Sequence, residues 1–218
     1  MIGTLPAGAR GVDANRPITD TNALQFRARG FEFAVRYVRR AQAHPYDLSA
    51  QETASILAAG LGLMTVQHVA PPGWTPNEDD GALYGNTAAR ESVTAGLRLG
   101  STVWCDLEGV QRGTPSGDVI AFCNAWHDAV AALGFLPGLY VGDSCILSPH
   151  ELYSLLRFES YWSAYNLNSD AMPAVRGVSM KQHVAQRADF IVGFDSQNMD
   201  VDVICGDALG SFPVLTLP

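Results

Sequence analysis

The feature that most constrains this chain is a repeated phrase, in which a helix-like stretch stops at glycine and an apolar run rich in β-branched and aromatic residues follows. Thr19 to Arg29 can form a helix closed by Gly30, and Phe31 to Val38 (FEFAVRYV) then reads as a strand. Ser49 with Glu52 makes a capping-box pair for a helix ending at Gly60, and Leu61 to Val69 (LGLMTVQHV) follows. A helix over about 81–99 stops at Gly100 before Ser101 to Glu108 (STVWCDLE). Pro115 to Leu133 stops at Gly134 before a short strand at Leu139 to Val141. Ser148-Pro149 opens a further helix, with serine at the cap and proline in the first turn, leading to Ser160 to Asn166 (SYWSAYN). Ser179 to Val184 and Asp200 to Ile204 close the series, and Gly11-Val12-Asp13 at the front brings the strands to eight.

Eight short apolar strands, mostly separated by helices, ask for parallel pairing with both faces covered. The expectation is an α/β fold of the (β/α) TIM-like barrel type, one domain over 1–218, with some outer helices short or missing because the length is near the lower limit for eight units. The stretch from Arg187 to Asn198 reads as irregular loop where a regular barrel places a helix. An open doubly wound sheet is the alternative, but GVDANRP after the first strand has neither G-x-G-x-x-G nor a Walker pattern.

With 47% hydrophobic and only 17% charged residues, the chain has ample material for one large core. Its net charge of -8, with no Lys/Arg cluster, argues against nucleic acid or an anionic membrane as partner. The longest uncharged stretch, Thr53 to Asn77, is broken by Gly60, Gly62, Pro71, Pro72 and Gly73, so membrane insertion is not expected. MIGTLPAGAR at the start has no apolar run of signal-peptide length, so a protein working outside the cell would need another route. The four cysteines lack metal-ligand spacing and are expected to be buried free thiols. A monomer is expected.

In such a barrel the chemistry gathers at the C-terminal ends of the strands, and here those ends are polar. In order they present Asp13, Arg36 with Tyr37, Gln67 with His68, Asp106 with Glu108, Tyr140 with Asp143, Tyr165 with Asn166, Gln182 with His183, and Asp200 with Asp202. The sharpest element is WCDLEG, where the strand period of two sends Asp106 and Glu108 to one face, about 7 Å apart. Crowded, buried acids raise one another's proton affinity, leaving one protonated and its neighbour ionised near neutral pH. Glycoside hydrolysis uses such a pair, one carboxyl to protonate the leaving oxygen and one to stabilise the cationic centre or activate water. A structural D-x-E that caps a helix or binds a cation is the plainer reading of the same residues.

GVDANRP, WCDLEG and MDVDVICG resemble, in order, the three acidic motifs of the glycoside hydrolase family 25 lysozymes. GVDANRPITDTNALQFRARGFEFAVRYV with LSAQETASILAAGLGLMTVQHV is closer still to a related glycoside-hydrolase-like family, the domain of unknown function 1906. The resemblance implies a modified barrel acting on cell-wall glycan, peptidoglycan above all, without a cofactor. It implies Glu108 as proton donor, Asp106 as its partner, and Asp13 and Asp200 as the acids of the first and last strands, with Asp202 a helper beside them. The second strand departs from the lysozyme pattern, since RYVRR stands where the lysozymes carry small residues and a Glu. The resemblance also implies action at the cell envelope, as a secreted or phage-borne protein.

Tyr37, Tyr140 and Tyr165 could stack on sugar rings or pack in the core. Trp162 is expected in the core, and Trp74, in a polar loop, as a wall for substrate. Arg36, Gln67, His68, Asn166, Gln182 and His183 are candidate ligand contacts, with a structural histidine as the alternative for each imidazole. No third ligand stands at metal spacing, so no metal is expected. G-x-S-x-G is absent, and Cys105 faces away from Asp106 and Glu108. Two rivals to a hydrolase remain: a glycan-binding module on the same fold that no longer cleaves, and a metal phosphoesterase using the acids as ligands.

Overall fold

Helix starts and stops follow the side-chain chemistry of the chain. The computed structural model describes residues 1–167 and 171–218. Thr19, Ser49, Asn77 and Ser148 each accept a backbone N–H three residues on and so start α1 (Asp20–Ala28), α2 (Ala50–Ala58), α3 (Glu78–Thr94) and α5 (Pro149–Ser154). Between the last two lies α4 (Ser116–Ala132). The third helix starts earlier and stops earlier than expected. Asn77 caps it at the front, and Gly96, at φ +90°, turns the chain into the left-handed region before Gly100 is reached.

Short terminal strands β1 (Ile2–Gly3) and β10 (Leu215–Thr216) bracket eight barrel strands: β2 (Arg10–Ala14), β3 (Phe33–Val38), β4 (Gly62–Gln67), β5 (Thr102–Leu107), β6 (Leu136–Val141), β7 (Ser160–Ser163), β8 (Met180–Val184) and β9 (Met199–Ile204). The ring runs β4-β3-β2-β9-β8-β7-β6-β5 and closes through β4 and β5. It is a TIM-like α/β barrel, with one difference from the all-parallel expectation. The last strand, β9, runs antiparallel to both β2 and β8. The irregular 14-residue return from β8 explains this, because a parallel crossover normally needs a helix to carry the chain back to the starting rim. Asp200 therefore stands second in its strand, after Met199, yet sits beside Asp13 at the rim where the other strands end.

Where β4 and β5 diverge below their two paired positions, β10 fills the gap, pairing Thr216 with Leu63 and bonding to Thr102 through Val214. The strands alternate between two cores. Val12, Ala34, Leu63, Cys105, Leu139 and Tyr161 face the helices, whereas Phe33, Val35, Met64, Trp104, Trp162 and Met180 fill the barrel. Over the first of these, α3 lies on α4 so closely that a Cβ at Gly81 would stand 2.3 Å from the Phe122 carbonyl oxygen. All four cysteines are free, and Cys205 is exposed rather than buried as expected, because it follows the end of β9.

Candidate active site

The barrel rim gathers carboxylates from three strands, β2, β5 and β9. Register places Asp13 of β2 beside Asp200 of β9, and Asp202 beside Gln182 of β8, all facing inward. Asp106 of β5 lies beside Tyr140 of β6 on the same inner face, and Glu108 follows two residues on. A hydrogen-bonded chain spans the interior: Tyr140 Oη donates to Gln182 Oε1 (3.0 Å), and Gln182 Nε2 donates to Asp13 Oδ2 (3.0 Å). Tyr37 Oη donates to the other oxygen of Asp13 at 3.4 Å.

Glu108 occupies the mouth. It lines both a pit of about 70 Å³, with Tyr37, Asp106, Tyr140, Trp162 and Gln182, and an open groove of about 450 Å³, with Val69, Pro72, Gln111, Arg112 and Asp143. Its side chain rests on Gly142, where a Cβ would stand 2.3 Å from Glu108 Oε2. Trp74 Nε1 donates to the Glu108 carbonyl at 2.8 Å and fixes the turn beneath it.

Burial raises the proton affinity of every acid in this cluster. Asp13 moves from the ordinary 3.8 to about 7, through burial first and the Asp200 charge second. Asp106 is held well above the usual range by burial, then by Glu108, against the opposing pull of Arg40. Asp202 is raised well above it by burial and by Asp13 and Asp200. Glu108, more open, is raised by burial and by Asp143. Sequence reasoning expected Asp106 to act on Glu108; the repulsion between the two is mutual, and the charge of Asp143 adds to it. Both oxygens of Asp202, one of Asp106 and the indole nitrogen of Trp162 are buried without hydrogen-bond partners. Asp202 and Trp162 lie near enough to influence each other, but not in the geometry of a hydrogen bond.

The chain belongs to a recognised family. The family model for the Rv2525c-like, glycoside hydrolase-like domain matches residues 24–201, a span that holds Asp106, Glu108 and Asp200 and begins after Asp13. In fold, the chain is similar to the Tat-secreted protein Rv2525c of Mycobacterium tuberculosis in complex with L-tartrate, with 15% identity, TM-score 0.67, and 93% of this chain and 100% of that one covered. It is likewise similar to the bacterial lysozyme of Streptomyces coelicolor (15% identity, TM-score 0.64, 94% and 95% covered) and to a muramidase from Trichobolus zukalii (14%, 0.60, 91% and 94%). At such identities the likeness is one of fold. No curated protein matches the sequence.

Several of the expected ligand contacts stand elsewhere. Arg36 faces the helix layer, fully buried, where it donates to both oxygens of Glu52 and to the Ala14 and Tyr46 carbonyls. Gln67 also faces the helices, bonding Trp126 Nε1 and the Arg39 and Tyr84 carbonyls. Both alternate with inward neighbours, so the period of two that joined Asp106 to Glu108 also separates Arg36 from Tyr37. His183 is exposed and, paired with Val201, lies on the outer face. His68 reaches the rim, bonded to Asp47 at 2.9 Å and stacked on Tyr37, with burial lowering its proton affinity. Tyr165 and Asn166 are exposed beyond β7. Trp74 offers no free wall, since Arg40 covers its ring at 4.3 Å and Phe122 meets it at an angle.

Sequence reasoning did not single out Gly142, Asp47 or Arg40. None of the three carries a signal short of the fold. Among the described residues, no group of three or more His, Cys, Asp and Glu side chains is placed to hold a metal ion, and no helix is long and apolar enough to cross a membrane.

Proposed function

We propose that the protein hydrolyses a β-linked cell-wall glycan, peptidoglycan, with Glu108 as the proton donor. The observation that carries this reading is the position of Glu108, between an open groove that can take a glycan strand and a buried carboxylate cluster that raises proton affinities. Glu108 gives its proton to the leaving oxygen as the glycosidic C–O bond breaks. Asp106, in the state where the shared proton rests on Glu108, supplies negative charge to the cationic sugar centre with Asp13 and Asp200 around it, and a carboxylate takes the proton of the water that adds there. No step calls for a cofactor. Membership in a glycoside hydrolase-like family and the fold shared with a lysozyme and a muramidase support the same chemistry. The cell envelope is then the place of action, and one relative in fold, Rv2525c, is Tat-secreted.

A second reading, a module that holds glycan without cleaving it, is favoured by the size of the pit. Its 70 Å³ admits a few waters rather than a sugar ring. The two readings separate by measuring reducing ends released from purified peptidoglycan, alongside co-sedimentation with it. Glu108→Gln keeps shape but has no proton to give, so release falls by about 100-fold or more while binding is kept. Absence of release by the wild type contradicts the hydrolase reading, and equal release by wild type and E108Q contradicts Glu108 as the donor.

A further inference from the structure

Of the three arginines in RYVRR, two are matched to carboxylates: Arg36 with Glu52 at 2.5 Å and Arg39 with Glu91 at 2.7 Å. Arg40 is not. It is 9% exposed, its Nη2 is buried without a hydrogen-bond partner, and it makes no ion pair among the described residues. Its guanidinium instead lies 4.3 Å from the ring centre of Trp74, 4.7 Å from that of Tyr84 and 5.5 Å from that of Phe122. Aromatic faces attract a cation without neutralising it, and a buried charge without a counter-ion is costly unless the surrounding field is negative.

That field lies next to it. Trp74, beneath Arg40, donates its indole N–H to the backbone carbonyl of Glu108. Arg40 thus stands against the end of β5 on the helix side, while Asp106 and Glu108 leave the same strand end on the barrel side. One oxygen of Asp106 is buried and unpartnered there.

We propose that Arg40 is a positioning residue for the proton shared by Asp106 and Glu108: its charge, acting across the end of β5, opposes protonation of Asp106 and so shifts the shared proton toward Glu108. The inference rests on the hydrolase reading for its use in turnover, but not for its electrostatics. Burial draws the proton inward to Asp106, and so do the charges of Glu108 on the same strand and Asp13 on β2. Arg40 is the cation that opposes them. The other groups around Asp106 are the phenols of Tyr37 and Tyr140 and the thiol of Cys105, all held protonated by burial. Cys123, which also feels Arg40, is held protonated in the same way. None of these offers a second positive charge.

The test is a pH titration of the Asp106 and Glu108 side-chain carboxyls by ¹³C NMR in the full chain, with the signals assigned through D106N and E108Q. Removing the cation while keeping bulk, as in Arg40→Met and Arg40→Gln, raises the Asp106 midpoint by about one pH unit and lowers that of Glu108. Arg40→Lys keeps the charge and stays near wild type. In turnover, R40M and R40Q lose kcat with little change in KM, because the proton is then drawn further from Glu108 toward Asp106. Unmoved midpoints in R40M and R40Q overturn the proposal, and so does a shift of equal size in R40K, which would trace the effect to packing. Two neutral variants are made so that one that fails to fold leaves the other. The titration needs no turnover, so a shifted Asp106 in a chain that releases no reducing ends refutes the hydrolase reading alone.

Discussion

The two halves of the barrel interior are filled by opposite chemistry. In the lower half, Phe33, Met64, Trp104 and Met180 are fully buried. Two glycines make room for the largest rings, since a Cβ would stand 2.1 Å from Phe33 at Gly11 and 2.3 Å from Trp104 at Gly138. One step toward the rim, the same or neighbouring strands carry Asp13, Asp106, Gln182 and Asp202, with three carboxyl oxygens left unpartnered. Packing of this density stabilises the fold, and buried acids without partners destabilise it. A barrel that keeps such a rim on such a floor gives up stability at that end.

The largest expected effect lies in the lower half. Trp104→Ala empties the centre of the floor and costs about 3–5 kcal/mol of folding stability, measured by urea unfolding. A cost below about 1 kcal/mol would show that the floor does not carry the fold. A smaller effect of opposite sign belongs to the upper half. The raised affinity of Asp202 means that its stabilisation is complete below the ordinary carboxylate range and is lost as pH rises toward the folded value. Each pH unit between the two is worth about 1.4 kcal/mol. Asp202→Asn removes this loss and breaks no hydrogen bond, so the variant is more stable than wild type at pH 7, and the gap closes as the solution is acidified to about pH 4. Parallel stability curves from pH 4 to 8 would contradict the contrast between the halves.

Much of this architecture was legible in the sequence, for identifiable reasons. Gly30, Gly60 and Gly134 announce helix ends because the chain must turn left-handed there, and all three do. The D-x-E spacing carries Asp106 and Glu108 to one face because strand geometry leaves no other choice. Strand direction is not written in composition, and for β9 the signal lay in what was missing, a helix between Arg187 and Asn198. Arg36 and Gln67 were misplaced because adjacent polar residues at a strand end were both aimed at the cleft, although alternation admits only one of each pair. The aromatic seat of Arg40 brings together Trp74, Tyr84 and Phe122 from separate segments, so no local pattern could reveal it.

The central claim is that Glu108 meets the bond to be broken. Its most direct test is a crystal structure of E108Q soaked with a peptidoglycan-derived tetrasaccharide. The account predicts a glycan lying in the groove past Val69 and Gly109, with one glycosidic oxygen within about 3 Å of the substituted side chain at position 108. A saccharide seated away from that rim, or one whose glycosidic oxygens all lie beyond reach of position 108, would contradict it.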